Sequence, residues 1–98
     1  MNKTNTQIAL EIGSWLRDVR ISQDLTREKL AENEGISAGA IKNLENKGKS
    51  SMDTFVAVLR GLNLLEDLAS IMQRPAVSPM AMLKLGRKRQ RARGKLNG

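Results

Sequence analysis

LTREKLAENEGISAGAIKNLENKG, residues 25–48, is the stretch from which the rest of the chain is read. Thr26 has the side chain of a helix start, a hydroxyl able to accept from an amide of the first turn. Glu28 follows where the helix dipole favours an acid. Leu30 and Ala31 form the inward face of this short helix. Gly35 ends it, because glycine takes up the left-handed closing conformation without steric cost. Ile36 is apolar within the turn, and Ser37 caps a second helix that buries Ile41 and Leu44 and ends near Asn46. Ala31 must be small where the two helices cross. Two helices of about eight to ten residues joined in this way have the spacing of a helix-turn-helix. The basic loop Lys47-Gly48-Lys49-Ser50 follows.

Upstream, Ile8, Ile12, Trp15, Leu16 and Val19 recur at helical intervals and predict a first helix over about residues 6–21, closed by the polar Ser22-Gln23-Asp24. Trp15 lies on that apolar stripe and reads as a core or assembly contact. Downstream, Ser50 or Ser51 caps a helix that presents Phe55, Val58, Leu59 and Leu62 on one face. Asn63 followed by Glu66 fits a capping-box pattern, with Asn in place of Ser or Thr. It predicts a fifth helix to about Met72 that uses Leu65, Leu68, Ala69 and Met72. Pro75 and Pro79 break the helical pattern beyond it, although Ser78-Pro79 can start a short helix through Leu83. The expected fold class is all-α. The divisions are a helical domain over residues 6–73, a Pro-containing extension over 74–85 and a basic tail over 86–98. Between residues 86 and 98 only Ala92 and Leu96 are apolar, too few to order the segment unaided.

Composition narrows the function classes. Of the 98 residues 40% are apolar, enough for one modest core, and Trp15 and Phe55 are the only aromatics. There is neither Cys nor His. That excludes disulfides, removes the usual zinc ligands and fits a cytoplasmic protein. The commonest acid-base and nucleophilic constellations go with them, so no enzyme, catalytic residue, metal or cofactor is expected. No apolar run approaches the ~20 residues of a membrane span, and the polar residues 1–7 hold no signal-peptide core. The net charge of +7 is unevenly placed: residues 1–83 carry ten basic and ten acidic side chains. The whole excess comes from Lys84, Arg87, Lys88, Arg89, Arg91, Arg93 and Lys95. The high pI is therefore a property of the tail and does not by itself make the helical body a nucleic-acid binder.

Residues 25–48 resemble the core of the Xre/Cro/CI-type helix-turn-helix transcriptional regulators, whose DNA-binding domain is lambda-repressor-like. Leu-Thr-x-Glu-x-Leu-Ala, then Gly-Ile-Ser, then Ile and Leu-Glu-Asn stand here at the family's spacing. With the flanking helices the likeness covers about residues 8–72. It implies the family's five-helix domain, here followed by a flexible basic C-terminal tail. The second helix of the pair would lie in the major groove of double-stranded DNA with Ala38, Gly39, Lys42 and Asn43 facing bases. Arg27, Ser37, Lys47 and Lys49 would meet phosphates, the alternative for Arg27 being an ion pair with a nearby acid. Arg20 and Glu45 match a structural ion pair of the family, which ties the first helix to the recognition helix.

Two departures stand out. Ala38 and Gly39 occupy positions where the family often has polar base-reading residues. Only Asn43 offers a bidentate pairing to adenine, and Lys42 a donor to guanine. Specificity then depends on thymine methyls, DNA shape or an accessory arm. The tail supplies such an arm in Arg87, Lys88, Arg89, Arg91, Arg93 and Lys95, suited to phosphates or a narrow minor groove.

The resemblance implies a homodimeric repressor on a palindromic operator, with Leu65, Leu68 and Met72 as candidates for the shared surface. A second possibility is an autoregulating antitoxin of the HipB-like kind, which also holds a protein partner, its toxin. A restriction-modification controller protein, which shares the fold, is a third.

Overall fold

Four hydroxyl side chains set four helix starts. Thr4, Thr26, Ser37 and Ser51 each accept from the amide three residues on, at 3.0–3.1 Å, and so satisfy a donor that the helix itself leaves unpaired. The helices that begin there are α1 (Asn5–Ser22), α2 (Arg27–Glu34), α3 (Ala38–Lys47) and α4 (Met52–Gly61); α5 (Leu65–Met72) follows. Thr4 adds a full capping box, its own amide donating to the Gln7 side chain at 2.8 Å. The computed structural model describes residues 2–73, and the regular structure among them is entirely helical. The extension over 74–85 and the tail over 86–98, expected from sequence, lie outside the described residues. Among the described residues no helix is long and apolar enough to cross a membrane.

The ends of α1 to α4 are also locally encoded. Each passes through one left-handed residue: Asp24 (φ 56°), Gly35 (φ 68°), Gly48 (φ 65°) and Asn63 (φ 62°). After α1 the Leu25 amide reaches back to the Arg20 carbonyl at 3.2 Å and the Asp24 amide to Ile21 at 3.0 Å. After α4 the Leu64 amide reaches Leu59 at 2.8 Å and the Asn63 amide reaches Arg60 at 3.1 Å. Both are Schellman closures, which tolerate a short polar side chain in the left-handed position. The capping-box expectation for Asn63 is thereby corrected. The residue at the N-cap of α5 is Leu64, which makes no side-chain cap bond. Asparagine serves either end of a helix, and here closing α4 claims it.

The core is formed by Leu16, Leu30, Ala31, Ile41, Leu44, Val58, Leu59 and Leu62, with Val19, Leu25, Ile36, Phe55, Leu65 and Leu68 packed against it. Each large aliphatic side chain removed from water in this way contributes about 1.5–3 kcal/mol. Helix α3 sits centrally, against α1, α2 and α4, while α4 also carries α2 and α5. The α1 face differs from the expected stripe. Leu16 is fully buried, but Ile12 and Trp15 are 38% and 48% exposed. Gly13 and Arg20 join Leu16 as the buried line instead. Gly13 is the cause: a Cβ there would stand 2.2 Å from the Leu44 carbonyl oxygen and 2.8 Å from that of Glu45. Lacking a side chain, it lets α1 rest directly on the α3 backbone and rolls the contact face toward itself.

Candidate functional site

Helix α3 has two unlike faces. Ile41, Leu44 and Glu45 are turned into the body, and Gly39, Lys42, Asn43 and Asn46 are exposed on the other side. Their spacing explains the division, since positions three and four apart share a face of a helix. Ala38 is half-buried and packs against the core, which leaves only part of it for any external contact. No atom other than the helix's own backbone and chain neighbours lies within 4 Å of a Cβ placed on Gly39. Ser37 is exposed but commits its hydroxyl oxygen to the Ala40 amide. Lys47 ends α3 and Lys49 stands in the loop beyond Gly48, both exposed.

Arg20 and Glu45, twenty-five residues apart, meet in the interior. Arg20 Nε donates to Glu45 Oε2 at 2.7 Å and Nη2 donates to Oε1 at 3.1 Å. Its remaining Nη1 donates to the Leu25 carbonyl at 2.7 Å, so the guanidinium also ties down the loop before α2. The two side chains are 9% and 1% exposed. Arg27, the first residue of α2, joins the same carboxylate: its Nε donates to Glu45 Oε1 at 2.9 Å. Burial alone would push the Glu45 pKa up, but the hydrogen bonds and charges of Arg20 and Arg27 outweigh it and hold the carboxyl below its ordinary value. Glu45 is therefore ionised at neutral pH, and two guanidiniums around one carboxylate leave a single positive charge.

Of the residues singled out by sequence, the structure brings Arg20, Arg27 and Glu45 together. It sets Gly39, Lys42 and Asn43 side by side on one open face. Leu65 and Leu68 are half-buried against their own core, whereas Met72 and the neighbouring Ile71 are 69% and 81% exposed. The arm residues Arg87, Lys88, Arg89, Arg91, Arg93 and Lys95 lie outside the described residues. Three contributors were not singled out from sequence. Gly13 is one; its place on the same helical line as Leu16 and Arg20 was the available signal. The choice of Glu45 as the acid that Arg27 pairs with is the second: the sequence leaves an ion pair of Arg27 open, but nothing local announces a partner eighteen positions away. Gln23 is the third, donating from Nε2 to the Leu62 carbonyl at 2.9 Å and so linking the end of α1 to the end of α4.

No family model matches the chain, and a comparison with curated proteins finds no match.

Proposed function

We propose that the chain is a sequence-specific double-stranded DNA-binding regulator of transcription, a repressor that acts as a homodimer on a palindromic operator. In this reading α2 and α3 form a helix-turn-helix and α3 enters the major groove. The observation that carries it is the division of α3: one face is fixed to the body by Ile41, Leu44 and Glu45, and the other presents Gly39, Lys42 and Asn43 to solvent. A groove-reading helix needs both, a rigid attachment and an uncovered face with donors at base-edge spacing. Arg27, Lys47 and Lys49 supply phosphate contacts around it, and the tail supplies a basic arm. Residues 2–73 hold ten acidic and nine basic side chains, so any attraction to DNA must come from where the charges stand rather than from their sum.

Selection from a pool of random duplexes at fixed, stated salt tests this directly. The expected product is an inverted repeat whose half-sites are centred about 10 base pairs apart, one helical turn, or a multiple of it. Retention of no duplex, or retention without enrichment of any sequence, overturns the proposal.

A further inference from the structure

We infer that Glu45 is a positioning residue for anion binding as well as an anchor of α3: it fixes one edge of the Arg27 guanidinium and leaves the other edge as a fork for a phosphate of the DNA backbone. The two arginines on this carboxylate are used differently. Arg20 spends all three nitrogens inside the protein, two on Glu45 and one on the Leu25 carbonyl. Arg27 spends only Nε, at 2.9 Å from Oε1. Among the described residues neither Nη of Arg27 makes a hydrogen bond, and the side chain is 25% exposed. Among the described residues no buried side-chain nitrogen or oxygen lacks a partner, so these two nitrogens face solvent and are open to an acceptor from outside. The net positive charge of the cluster makes an anion the better one.

Only arginine can serve two acceptors in this way. Its planar group carries five donors on fixed edges, so one edge can be tied down while the other meets a phosphate bidentately. A lysine would bring the same charge as a single point and could not do both well. Tying down Nε also removes rotamer freedom before any ligand arrives, which lowers the entropy cost of binding. Glu45 thus acts on the ligand through Arg27, while its hold on Arg20 keeps α3 in place. The fork gives a defined role, resting on the DNA-binding function proposed above, to a residue whose charge alone would make an ordinary contact.

Affinity of the full chain for duplex DNA, measured over a range of salt for the wild type, Arg27→Ala and Arg27→Lys, tests this. Neither substitution disturbs the Arg20–Glu45 pair, and melting temperatures should show both variants folded. Arg27→Ala should reduce the slope of log affinity against log salt by about 0.9 per protomer, the share of one phosphate. Arg27→Lys should restore that slope yet leave affinity about tenfold below the wild type, the value of one charged hydrogen bond lost from the fork. Glu45→Gln also loosens the anchor of α3, so it is compared in two backgrounds: positioning predicts a loss of affinity beside Arg27 that is absent beside Arg27→Ala, and an equal loss in both overturns it. If lysine restores affinity together with slope, the fork is not the contact and the inference falls while DNA binding stands. If the wild type retains no duplex at any salt, the DNA-binding function falls and takes the inference with it.

Discussion

Gly13 and Leu44 meet with no side chain between them, since a methyl group on Gly13 would stand 2.2 Å from the Leu44 carbonyl oxygen. The obstacle is backbone in the middle of α3 and cannot rotate away. Gly13→Ala should therefore push α1 off α3 and destabilise the fold by about 1–3 kcal/mol, the usual cost of overpacking. Thermal unfolding followed by circular dichroism would show it. An unchanged melting temperature would mean that the two helices are not in register as described.

The same substitution at Gly39 should act in the opposite direction. Space around it is open and its φ is not left-handed, so alanine gains helix propensity without a clash. The expected gain is about 0.8–1 kcal/mol, or a melting temperature higher by about 4–8 °C per kcal/mol in a domain of this size. A loss of stability would show that the glycine is needed by the fold rather than tolerated on its surface.

Removing either partner of the Arg20–Glu45 pair should be severe, about 3–5 kcal/mol, because the survivor is left charged and buried. The double variant Arg20→Ala with Glu45→Ala should lose less than the two single losses added together. Denaturant titration of all four proteins completes the cycle. Additive losses would mean that the two groups do not interact.

Acid should release this anchor. Burial raises the Glu45 pKa, but its arginine partners more than reverse that and keep it below 4.5 in the folded chain. The unfolded chain takes up its proton at higher pH than the folded one, so acidification favours unfolding. The stabilisation is complete above the unfolded value and disappears as the pH falls through the folded one. Wild-type denaturation midpoints should accordingly fall more steeply below about pH 4.5 than those of Glu45→Gln. Parallel curves would place the acid sensitivity elsewhere.

Helix and tail should affect DNA binding in separable ways. Lys42→Ala or Asn43→Ala should relax preference at one or two base pairs by about 1–3 kcal/mol each, with the salt slope nearly unchanged for Asn43→Ala. Deleting residues 86–98 removes Arg87, Lys88, Arg89, Arg91, Arg93 and Lys95 and should flatten the salt slope while leaving the preference among sites alone. A deletion that abolishes preference instead would assign sequence reading to the arm.

What the sequence made legible was mostly local. Thr26, Ser37 and Gly35 carry their roles in their own chemistry, a hydroxyl before an apolar period or a glycine after one, and α2 and α3 begin and end at them. Asn63 is ambiguous in sequence because the same side chain suits the start of one helix and the end of another. Only the short link to α5 decides between them. On α1 the apolar side chains span a wider arc than the contact they make, so periodicity gave the helix but not which edge of it was covered. The cause, Gly13, enters a propensity argument only as a weakness. The cluster on Glu45 shows the limit most clearly. The resemblance supplied Arg20, but Arg27 is drawn in by the way α2 crosses α3, a tertiary fact that no nearby residue encodes.

Trp15 is the only tryptophan, and it stands about half in solvent beside the exposed Ile12. The chain consequently carries its own fluorophore at the edge of its uncovered apolar surface. Free protomers should emit at the long wavelengths of a hydrated indole. If two copies come together along the α1 edge, the emission shifts to the blue as concentration rises. If they join through Ile71 and Met72 of α5, it stays where it was. Dilution in a cuvette, with no label attached, thus reports which side of the molecule a second copy covers.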